Sequence, residues 1–256
     1  AELIMEDEHR PFGSLACVLV ENDGALEEQL YPVEGPEDSE FIRGPVPMTK
    51  SEVRRLSLEK LRIGHGAVCY DIGAGTGSVA VEMGLEIRRR GGNGEVYAIE
   101  RSLDALQLIQ SNCQKFHGGW QGFHIVEGGA PEAMEGLPLP THAFIGGSGG
   151  RLLDILQTLY RKNPHMRIVI NAISMETIAE LKEVLDTFPM EEEEILQMQV
   201  SRVKKLLSYH LPQTENPVWI CSFTFRETGT DPMDNAKKTK QDAGETGNGK
   251  NGEVQR

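Results

Sequence analysis

The feature that most constrains the fold is a glycine-rich turn, Gly73-Ala74-Gly75-Thr76-Gly77. An apolar run at residues 67–72 precedes it and predicts a β-strand, and apolar residues at helical spacing over 78–90 predict a helix behind it. Strand, glycine turn and helix in this order are typical of the nucleotide-binding half of a doubly wound α/β sheet. Glycine suits the turn because the backbone there takes unusual dihedral angles and approaches a ligand without an intervening Cβ. The sequence therefore predicts an α/β domain with a ligand at this turn.

Two acidic residues beside the turn indicate which ligand. The glycines follow G-x-G-x-G with Ser78 next, not the dinucleotide pattern G-x-G-x-x-G/A, and Asp71 lies two residues before the first glycine. A carboxylate there would repel a pyrophosphate but suits S-adenosylmethionine, which carries an ammonium and a sulfonium and no phosphate. Glu100 follows the next predicted strand, residues 95–99, where a carboxylate can accept from both ribose hydroxyls. The alternative is a turn that serves only the chain topology, and the second acid favours the cofactor.

Composition argues against several other kinds of site. The 256 residues carry a net charge of −13, which opposes non-specific binding to nucleic acid. No apolar run is long enough to span a membrane. The sequence has no C-x-x-C pair and no H-x-x-x-H pattern, so we expect no metal site and reduced, buried thiols in the cytoplasm. The cysteines are Cys17, Cys69, Cys113 and Cys221.

The chain divides into four parts by composition. Residues 1–25 hold one predicted strand, which reads as the last strand of a preceding domain or as an arm, and residues 26–47 are acidic and proline-rich and predict a linker. Residues 48–225 form the predicted cofactor-binding domain, and residues 226–256 have too few large apolar side chains to order themselves. The domain opens with Thr49-Lys50-Ser51-Glu52, which fits a capping box with Thr49 as N-cap.

Strands and helices alternate regularly through the predicted domain. Five strand–helix steps followed by two adjacent strands favour a doubly wound, Rossmann-like sheet of seven strands, mostly parallel with an antiparallel end. This layout, with the acidic glycine turn and Glu100, resembles the class I S-adenosylmethionine-dependent methyltransferases. The predicted strands are 67–72, 95–99, 122–126, 142–145, 166–172, 194–203 and 217–225, and the helices behind them are 78–90, 103–116, 151–161 and 175–188.

Four further stretches make the resemblance more specific. They are residues 47–54, 128–133 and 143–150, and the pair 168–172 with 216–219. Together they resemble the precorrin-6Y C5,15-methyltransferase family of cobalamin biosynthesis, in its decarboxylating, carbon-15-methylating module, over roughly residues 41–225.

Residues 10–21 resemble the final strand of the tetrapyrrole methylase to which that module is often fused. The glycine loop of that methylase is absent, so we do not expect carbon-5 methylation from this chain.

The resemblance implies an activity and partners. The activity would be methyl transfer from S-adenosylmethionine to carbon 15 of a precorrin or cobalt-precorrin, coupled to loss of carbon dioxide from the ring C acetate. The partners would be other copies of the chain, as in a tetramer, and a carbon-5 precorrin methylase, fused or separate. Rival hypotheses are an RNA or protein methyltransferase on the same fold and a non-catalytic subunit that binds S-adenosylmethionine. The acidic composition argues against RNA, and the intact glycine turn argues against a decayed site.

Candidate site residues follow from the turn and the resemblance. The glycine-rich segment after strand 142–145 would expose backbone N–H groups toward a substrate carboxylate, and Arg151 could pair with one, although a tight turn and a solvated arginine are alternatives. No catalytic acid or base stands out. For the cofactor we predict Asp71, Gly73, Ala74, Gly75, Thr76, Gly77, Glu100, Arg101, Gly129 and Ala130, and for the substrate Thr49, Lys50, Gly146, Gly147, Ser148, Gly149 and Arg151.

The region between the last two predicted strands is less informative. Tyr209 and His210 could belong to a substrate lid, and Arg202, Lys204 and Lys205 could supply positive charge for a polycarboxylate. A surface histidine and a solvated basic face are the more ordinary interpretations.

Overall fold

A computed structural model of the chain describes residues 35–229 and Pro232. The strand predicted within residues 1–25, the first part of the predicted linker and most of the predicted tail lie outside these residues.

The described chain is built on a sheet of seven strands in the order β3-β2-β1-β4-β5-β9-β6. The first five are parallel, and β9 pairs antiparallel with both β5 and β6. This confirms the predicted doubly wound, mostly parallel sheet with an antiparallel end. The strands are β1 Val68–Ile72, β2 Glu95–Glu100, β3 Phe123–Glu127, β4 His142–Ile145, β5 Arg167–Ala172, β6 Met190–Met198 and β9 Val218–Phe225, with β7 Ser201–Leu206 and β8 Tyr209–Thr214 in a separate hairpin.

Helices cover both faces of the sheet because the strand side chains alternate between two apolar cores. Tyr70 and Ile72 of β1 belong to the core beneath two of the helices, whereas Cys69, the residue before Tyr70, belongs to the core beneath the other three. Burial of large apolar side chains in these cores stabilises the sheet by roughly 1.5–3 kcal/mol for each one. The first pair of helices is α4 Leu152–Lys162 and α5 Met175–Thr187, and the other three are α1 Ser51–Leu61, α2 Ser78–Arg89 and α3 Leu103–His117.

The prediction of one strand over 194–203 was wrong. Strand β6 begins at Met190, ends at Met198 and shifts register between Glu191 and Glu194. As an edge strand paired only with β9, it is largely exposed and shows no clean apolar alternation. The chain after it forms the β7–β8 hairpin, with Leu207 in the left-handed region at the turn. The segment holding Tyr209 and His210 is therefore a strand rather than a loop.

The predicted capping box at Thr49 was also wrong. Lys50 occupies the N-cap of α1 without a side-chain capping hydrogen bond. The Glu52 carboxylate accepts from the Ser51 hydroxyl at 3.2 Å and from Arg202 of the hairpin. The ion pair with Arg202 takes the carboxylate that a capping box would need at the helix start.

Residues 35–47, which belong to the predicted linker, pack on the domain. The Phe41 ring is buried with its centroid 4.8 Å from that of Phe116 on α3. The backbone of Ile42 donates to Oδ1 of Asn112 at 2.8 Å and accepts from its Nδ2 at 3.1 Å. These contacts make the described part of this segment a component of the domain rather than a free connection.

The described residues contain three free cysteines, of which Cys69 and Cys221 are buried and Cys113 is partly exposed. Burial raises the pKa of the Cys69 and Cys221 thiols to about 12, so both stay protonated. Over the same residues, no three His, Cys, Asp or Glu side chains come together to hold a metal ion. No helix in the described part of the chain is both long and apolar enough to cross a membrane.

Candidate functional site

A cleft opens where the strand order reverses between β1 and β4. The connection from β1 runs to α2 on one face of the sheet, and the connection from β4 runs to α4 on the opposite face. The loops that leave these two strands therefore diverge and create a crevice at their carboxyl ends. The cleft has a volume of about 810 Å³, and both predicted glycine segments contribute to its lining.

The floor of the cleft is a close approach of two backbones. Gly73 has a φ of +71°, and a Cβ on this residue would lie 2.6 Å from the carbonyl oxygen of Gly147. The amides of Gly146 and Gly147 both donate to the Ile72 carbonyl, at 3.0 and 3.4 Å. Only glycine permits this contact, so the two loops meet without a side chain between them.

Asp71, at the end of β1, carries an unsatisfied buried oxygen. Its Oδ2 accepts from the Ala80 amide in the first turn of α2 at 2.8 Å, whereas its Oδ1 is buried without a partner. Burial, together with the negative charge of Glu100, raises the pKa of this carboxyl to about 7. An unpaired acid of this kind fits a positively charged ligand, which would favour its ionised form.

Glu100, at the end of β2, is fixed in orientation by backbone amides. Its Oε2 accepts from the Gly75 amide at 2.9 Å, and its Oε1 accepts from the amides of Arg101 and Ser102 at 2.8 and 2.9 Å. A carboxylate has about four acceptor positions, so these bonds leave it able to accept from a ligand hydroxyl. The carboxylate thus links the glycine turn to the start of α3.

A further wall of the cleft comes from residues 45–50. Gly75 has a φ of +56°, and a Cβ there would lie 3.1 Å from the Pro47 carbonyl oxygen. The glycine turn and this segment therefore contact each other, and both line the cleft. Within this segment only Thr49 and Lys50 were predicted to bind a ligand, whereas the lining begins at Pro45.

A buried arginine holds the segment that leads into this wall. The Arg54 guanidinium, fully buried on α1, donates to the carbonyls of Pro36 and Thr49 at 2.8 and 2.7 Å. It also donates to Asp38 at 3.0 Å and pairs with Glu82 of α2. Two carboxylates and two carbonyls thus satisfy one buried cation, as burial of a charge requires. Arg54 was missed because its partners are distant in sequence.

The serine of the loop after β4 forms hydrogen bonds within the protein. The Ser148 hydroxyl donates to Oε2 of Glu180 on α5 at 2.9 Å and accepts from the Gly150 amide at 3.3 Å. Ser148 and Gly149 line the cleft, and Gly149 has a φ of +60°. The hydroxyl proton is therefore committed to Glu180, and the loop can offer a ligand its backbone N–H groups.

Three basic side chains reach the cleft, and they differ in their partners. Arg151 makes a bidentate pair with Glu132, at 2.7 and 2.8 Å, and this hydrogen bonding raises the pKa of Arg151 and lowers that of Glu132. The Lys50 ammonium lies 3.9 Å from an Asp38 oxygen. The third is Arg101.

Most of the predicted site residues come together at this cleft. Of the predicted cofactor residues, Thr76 and Gly77 do not belong to its lining: Thr76 is buried and Gly77 is the N-cap of α2. The hairpin residues Arg202, Lys204, Lys205, Tyr209 and His210 are not part of it either. The predicted residues on the lining are Asp71, Gly73, Ala74, Gly75, Glu100, Arg101, Gly129, Ala130, Thr49, Lys50, Gly146, Gly147, Ser148, Gly149 and Arg151.

Some lining residues were not predicted as ligands. Asn171 is the penultimate residue of β5, Val218 is the first residue of β9, and Asn216 lies two residues before that strand. These residues belong to the pair of stretches 168–172 and 216–219, which carries part of the family resemblance. The sequence therefore marked these positions but did not indicate what they bind.

Comparison with known proteins agrees with this geometry. A family model described as the precorrin methyltransferase domain matches residues 42–224. A protein of Sulfurisphaera tokodaii named "Probable cobalt-precorrin-6B C(15)-methyltransferase (decarboxylating)" is 37% identical over 188 residues, which cover 73% of this chain and 95% of that protein.

Two solved structures are similar over most of the chain. The precorrin-6Y C5,15-methyltransferase of Geobacter metallireducens has a TM-score of 0.68 at 35% identity, covering 76% of this chain and 98% of its own. A precorrin 8W decarboxylase of Methanobacterium thermoautotrophicum has a TM-score of 0.65 at 34% identity, covering 73% and 98%. The match over residues 42–224, together with the cleft built there, shows that the chain belongs to the precorrin methyltransferase family.

Proposed function

We propose that the chain transfers a methyl group from S-adenosylmethionine to carbon 15 of a precorrin or cobalt-precorrin and removes the ring C acetate carboxyl group as carbon dioxide. This is a step of cobalamin biosynthesis. The observation that carries the proposal is the agreement between the family membership and the cleft, in which an unpaired Asp71 and an amide-bound Glu100 flank a glycine floor.

The residues that would hold S-adenosylmethionine lie around the glycine turn. Asp71 offers negative charge to the cationic end of the ligand, and Glu100 offers a fixed acceptor to the ribose. The glycine turn lets the ligand approach the backbone, and Gly129 and Ala130 lie on the lining where the adenine would sit. Bound there, S-adenosylmethionine supplies an electrophilic methyl group on a sulfonium.

The chain has a limited task in the chemistry. Carbon 15 forms a bond to the methyl group as the sulfur–methyl bond breaks, which leaves S-adenosylhomocysteine. In the decarboxylation, the bond from the acetate methylene to its carboxylate breaks and carbon dioxide departs. The electron pair enters the conjugated macrocycle and offsets the positive charge that arrives with the methyl group. The proton that completes the new methyl group on ring C is matched by the proton that carbon 15 loses. The residues of the cleft therefore align the two reactants and keep water out, and the macrocycle serves as the electron sink.

Two rival functions remain weaker on physical grounds. An RNA methyltransferase needs a basic surface, and this chain has a net charge of −13. A scaffold subunit with a decayed cofactor site would not need Asp71 to keep a buried, unpaired oxygen, since such a group destabilises the fold when it has no ligand.

The proposal includes a homo-oligomer, working beside a carbon-5 precorrin methylase. In the β7–β8 hairpin every strand residue except Arg202 is exposed. An isolated two-stranded hairpin is marginally stable in water, so cover from a second copy is physically reasonable. Its exposed apolar side chains are Val203, Leu206, Leu207, Tyr209 and Leu211.

Light scattering tests the oligomer. We expect the wild-type protein to have the mass of two or more chains, and Leu206→Glu to lower the mass of this assembly. Leu139→Glu, at an exposed apolar residue outside the hairpin, should leave the mass unchanged. A monomeric wild-type protein would contradict this part of the proposal.

Calorimetric titration tests the cofactor assignment. We expect S-adenosylhomocysteine to bind and NADH not to bind. Gly75→Leu should abolish binding with the fold retained, because the side chain would enter the wall at Pro47. Gly118→Leu is a matched control, since Gly118 also has a positive φ, of +64°, but has open space around it. Undiminished binding to Gly75→Leu would refute the assignment of the turn.

A further inference from the structure

Arg101 is a cation on the cleft lining that is not paired with any group of residues 35–229. Among the residues that the structure describes, its guanidinium has no ion pair and no hydrogen-bond partner. Arg151 is paired with Glu132, and Lys50 lies near Asp38. Arg101 is thus the basic side chain on the lining whose charge is available to an anionic ligand.

The guanidinium of Arg101 lies against the loop after β4. Its Nη1, Nη2 and Cζ atoms are 3.7, 3.8 and 3.9 Å from the position that a Cβ on Gly149 would occupy. The backbone amide of Arg101 is bound by Glu100, which fixes the start of the side chain. The cation therefore stands between the end of β2 and the loop that faces the proposed substrate.

Two backbone amides of this loop are available beside it. Gly146 and Gly147 donate to Ile72, and Gly150 donates to the Ser148 hydroxyl. The amides of Ser148 and Gly149 donate to no group within the part of the chain that the structure describes. A guanidinium with neighbouring free amides is a suitable receptor for a carboxylate.

We propose that Arg101, together with the Ser148 and Gly149 amides, binds a carboxylate of the substrate that is retained in the product. This inference rests on the proposed function, because it assumes a substrate that carries several carboxylates. Arg101 then belongs to the substrate site, whereas the sequence predicted it at the cofactor site.

The chemistry of decarboxylation explains why the bound carboxylate is a retained one. Loss of carbon dioxide moves the negative charge of the departing carboxylate into the macrocycle. An ion pair to that carboxylate would stabilise the ground state more than the transition state and would slow the step. A cation that binds a different carboxylate stabilises the ground state and the transition state equally. Arg101 should then affect the KM for the substrate and leave kcat nearly unchanged.

The test compares Arg101→Gln and Arg101→Lys with the wild-type protein. A matched control is Arg43→Gln, which removes the same charge from an exposed position off the cleft lining. The readouts are the Kd for S-adenosylhomocysteine, and KM and kcat with cobalt-precorrin-6B at low and high salt.

We expect Arg101→Gln to raise KM by about tenfold, the low end for a charged hydrogen bond because the side chain is exposed. The Kd for S-adenosylhomocysteine should stay within about twofold, and Arg101→Lys should recover part of the loss. Salt should raise the KM of the wild-type protein more than that of Arg101→Gln.

Three outcomes would overturn the inference. If Arg101→Gln raised the Kd for S-adenosylhomocysteine and left the KM for cobalt-precorrin-6B unchanged, Arg101 would belong to the cofactor site. If Arg101→Gln lowered kcat at constant KM, Arg101 would act on the groups that react. If Kd, KM and kcat of Arg101→Gln equalled those of Arg43→Gln, Arg101 would have no role in binding either ligand. Absence of turnover by the wild-type protein would instead contradict the proposed function itself.

Discussion

Gly73 and Gly147 meet so closely that a Cβ on Gly73 would lie 2.6 Å from the Gly147 carbonyl oxygen. The contact joins the loops after β1 and β4 at the point where the strand order reverses. It explains in physical terms why residue 73 is glycine: the two loops share the floor of one cleft, and a side chain on Gly73 would force them apart.

Gly73→Ala should therefore destabilise the protein and weaken binding of S-adenosylhomocysteine. The residue has a φ of +71°, so a side chain is strained there before any contact is counted. The contact with Gly147 adds about 1–3 kcal/mol of overpacking to about 1–2 kcal/mol of backbone strain. Urea denaturation and calorimetric titration measure the two effects.

Gly92→Ala is the matched control for this change. Gly92 has a φ of +75° and no atom within 4 Å of its Cβ position. It should show the backbone strain alone and normal binding. Equal losses of stability in the two variants would contradict the contact between the loops.

Arg54→Met should lower the free energy of unfolding by about 3–5 kcal/mol, because it leaves the buried Glu82 carboxylate without its cation. It should also weaken S-adenosylhomocysteine binding, since Arg54 holds the carbonyl of Thr49 in the cleft wall. Arg90→Gln, which breaks an exposed pair with Glu86, should cost less than about 1 kcal/mol. Normal affinity in Arg54→Met would show that the wall is not held through this residue.

Binding of S-adenosylhomocysteine should depend on pH through Asp71. The pKa of this carboxyl is raised to about 7 by burial, so the acid is largely protonated below neutral pH. A cationic amine favours the ionised form, and affinity should fall by about tenfold for each pH unit below 7. Calorimetry between pH 5.5 and 8.5 measures this. Asp71→Asn should bind weakly at all pH values and lose the slope, whereas a slope that survives in this variant would exclude Asp71 as its source.

Stability should fall in mild acid through His117. Burial lowers the pKa of His117 from 6.5 to about 4, even though Nε2 lies 3.0 Å from the Val81 carbonyl oxygen. Because the unfolded chain takes up this proton first, stability due to the group is present above pH 6.5 and is lost as the pH falls toward 4. The loss should reach about 3 kcal/mol.

Urea denaturation at several pH values tests this by difference between variants. His117→Phe should lack the acid-dependent loss that the wild-type protein shows. His165→Gln, at an exposed histidine, should retain it. Parallel pH profiles for the wild-type protein and His117→Phe would contradict the assignment.

The sheet and most of the cleft could be predicted because their signals are local. The turn at residues 73–77, the acid before it and Glu100 after β2 are each readable within a few residues. The alternation of strand and helix then fixes which loops share an edge of the sheet.

The remaining features depend on contacts between distant residues. The burial of Arg54 can be understood only from its contacts with Glu82 and with the carbonyls that it binds. Glu52 does not form the predicted capping box because its carboxylate binds Arg202, which lies 150 residues away in the sequence. The β7–β8 hairpin was missed because its strands are exposed and one contains Pro212, which is unfavourable in a strand prediction.

The measurement that tests the central claim most directly is a balance of products. The protein is incubated with methyl-labelled S-adenosylmethionine and cobalt-precorrin-6B, and the label in the tetrapyrrole is compared with the carbon dioxide released. We expect equal amounts of the two, and neither product with Gly75→Leu. Methyl transfer without carbon dioxide, or label found in RNA or protein in place of the tetrapyrrole, would contradict the account.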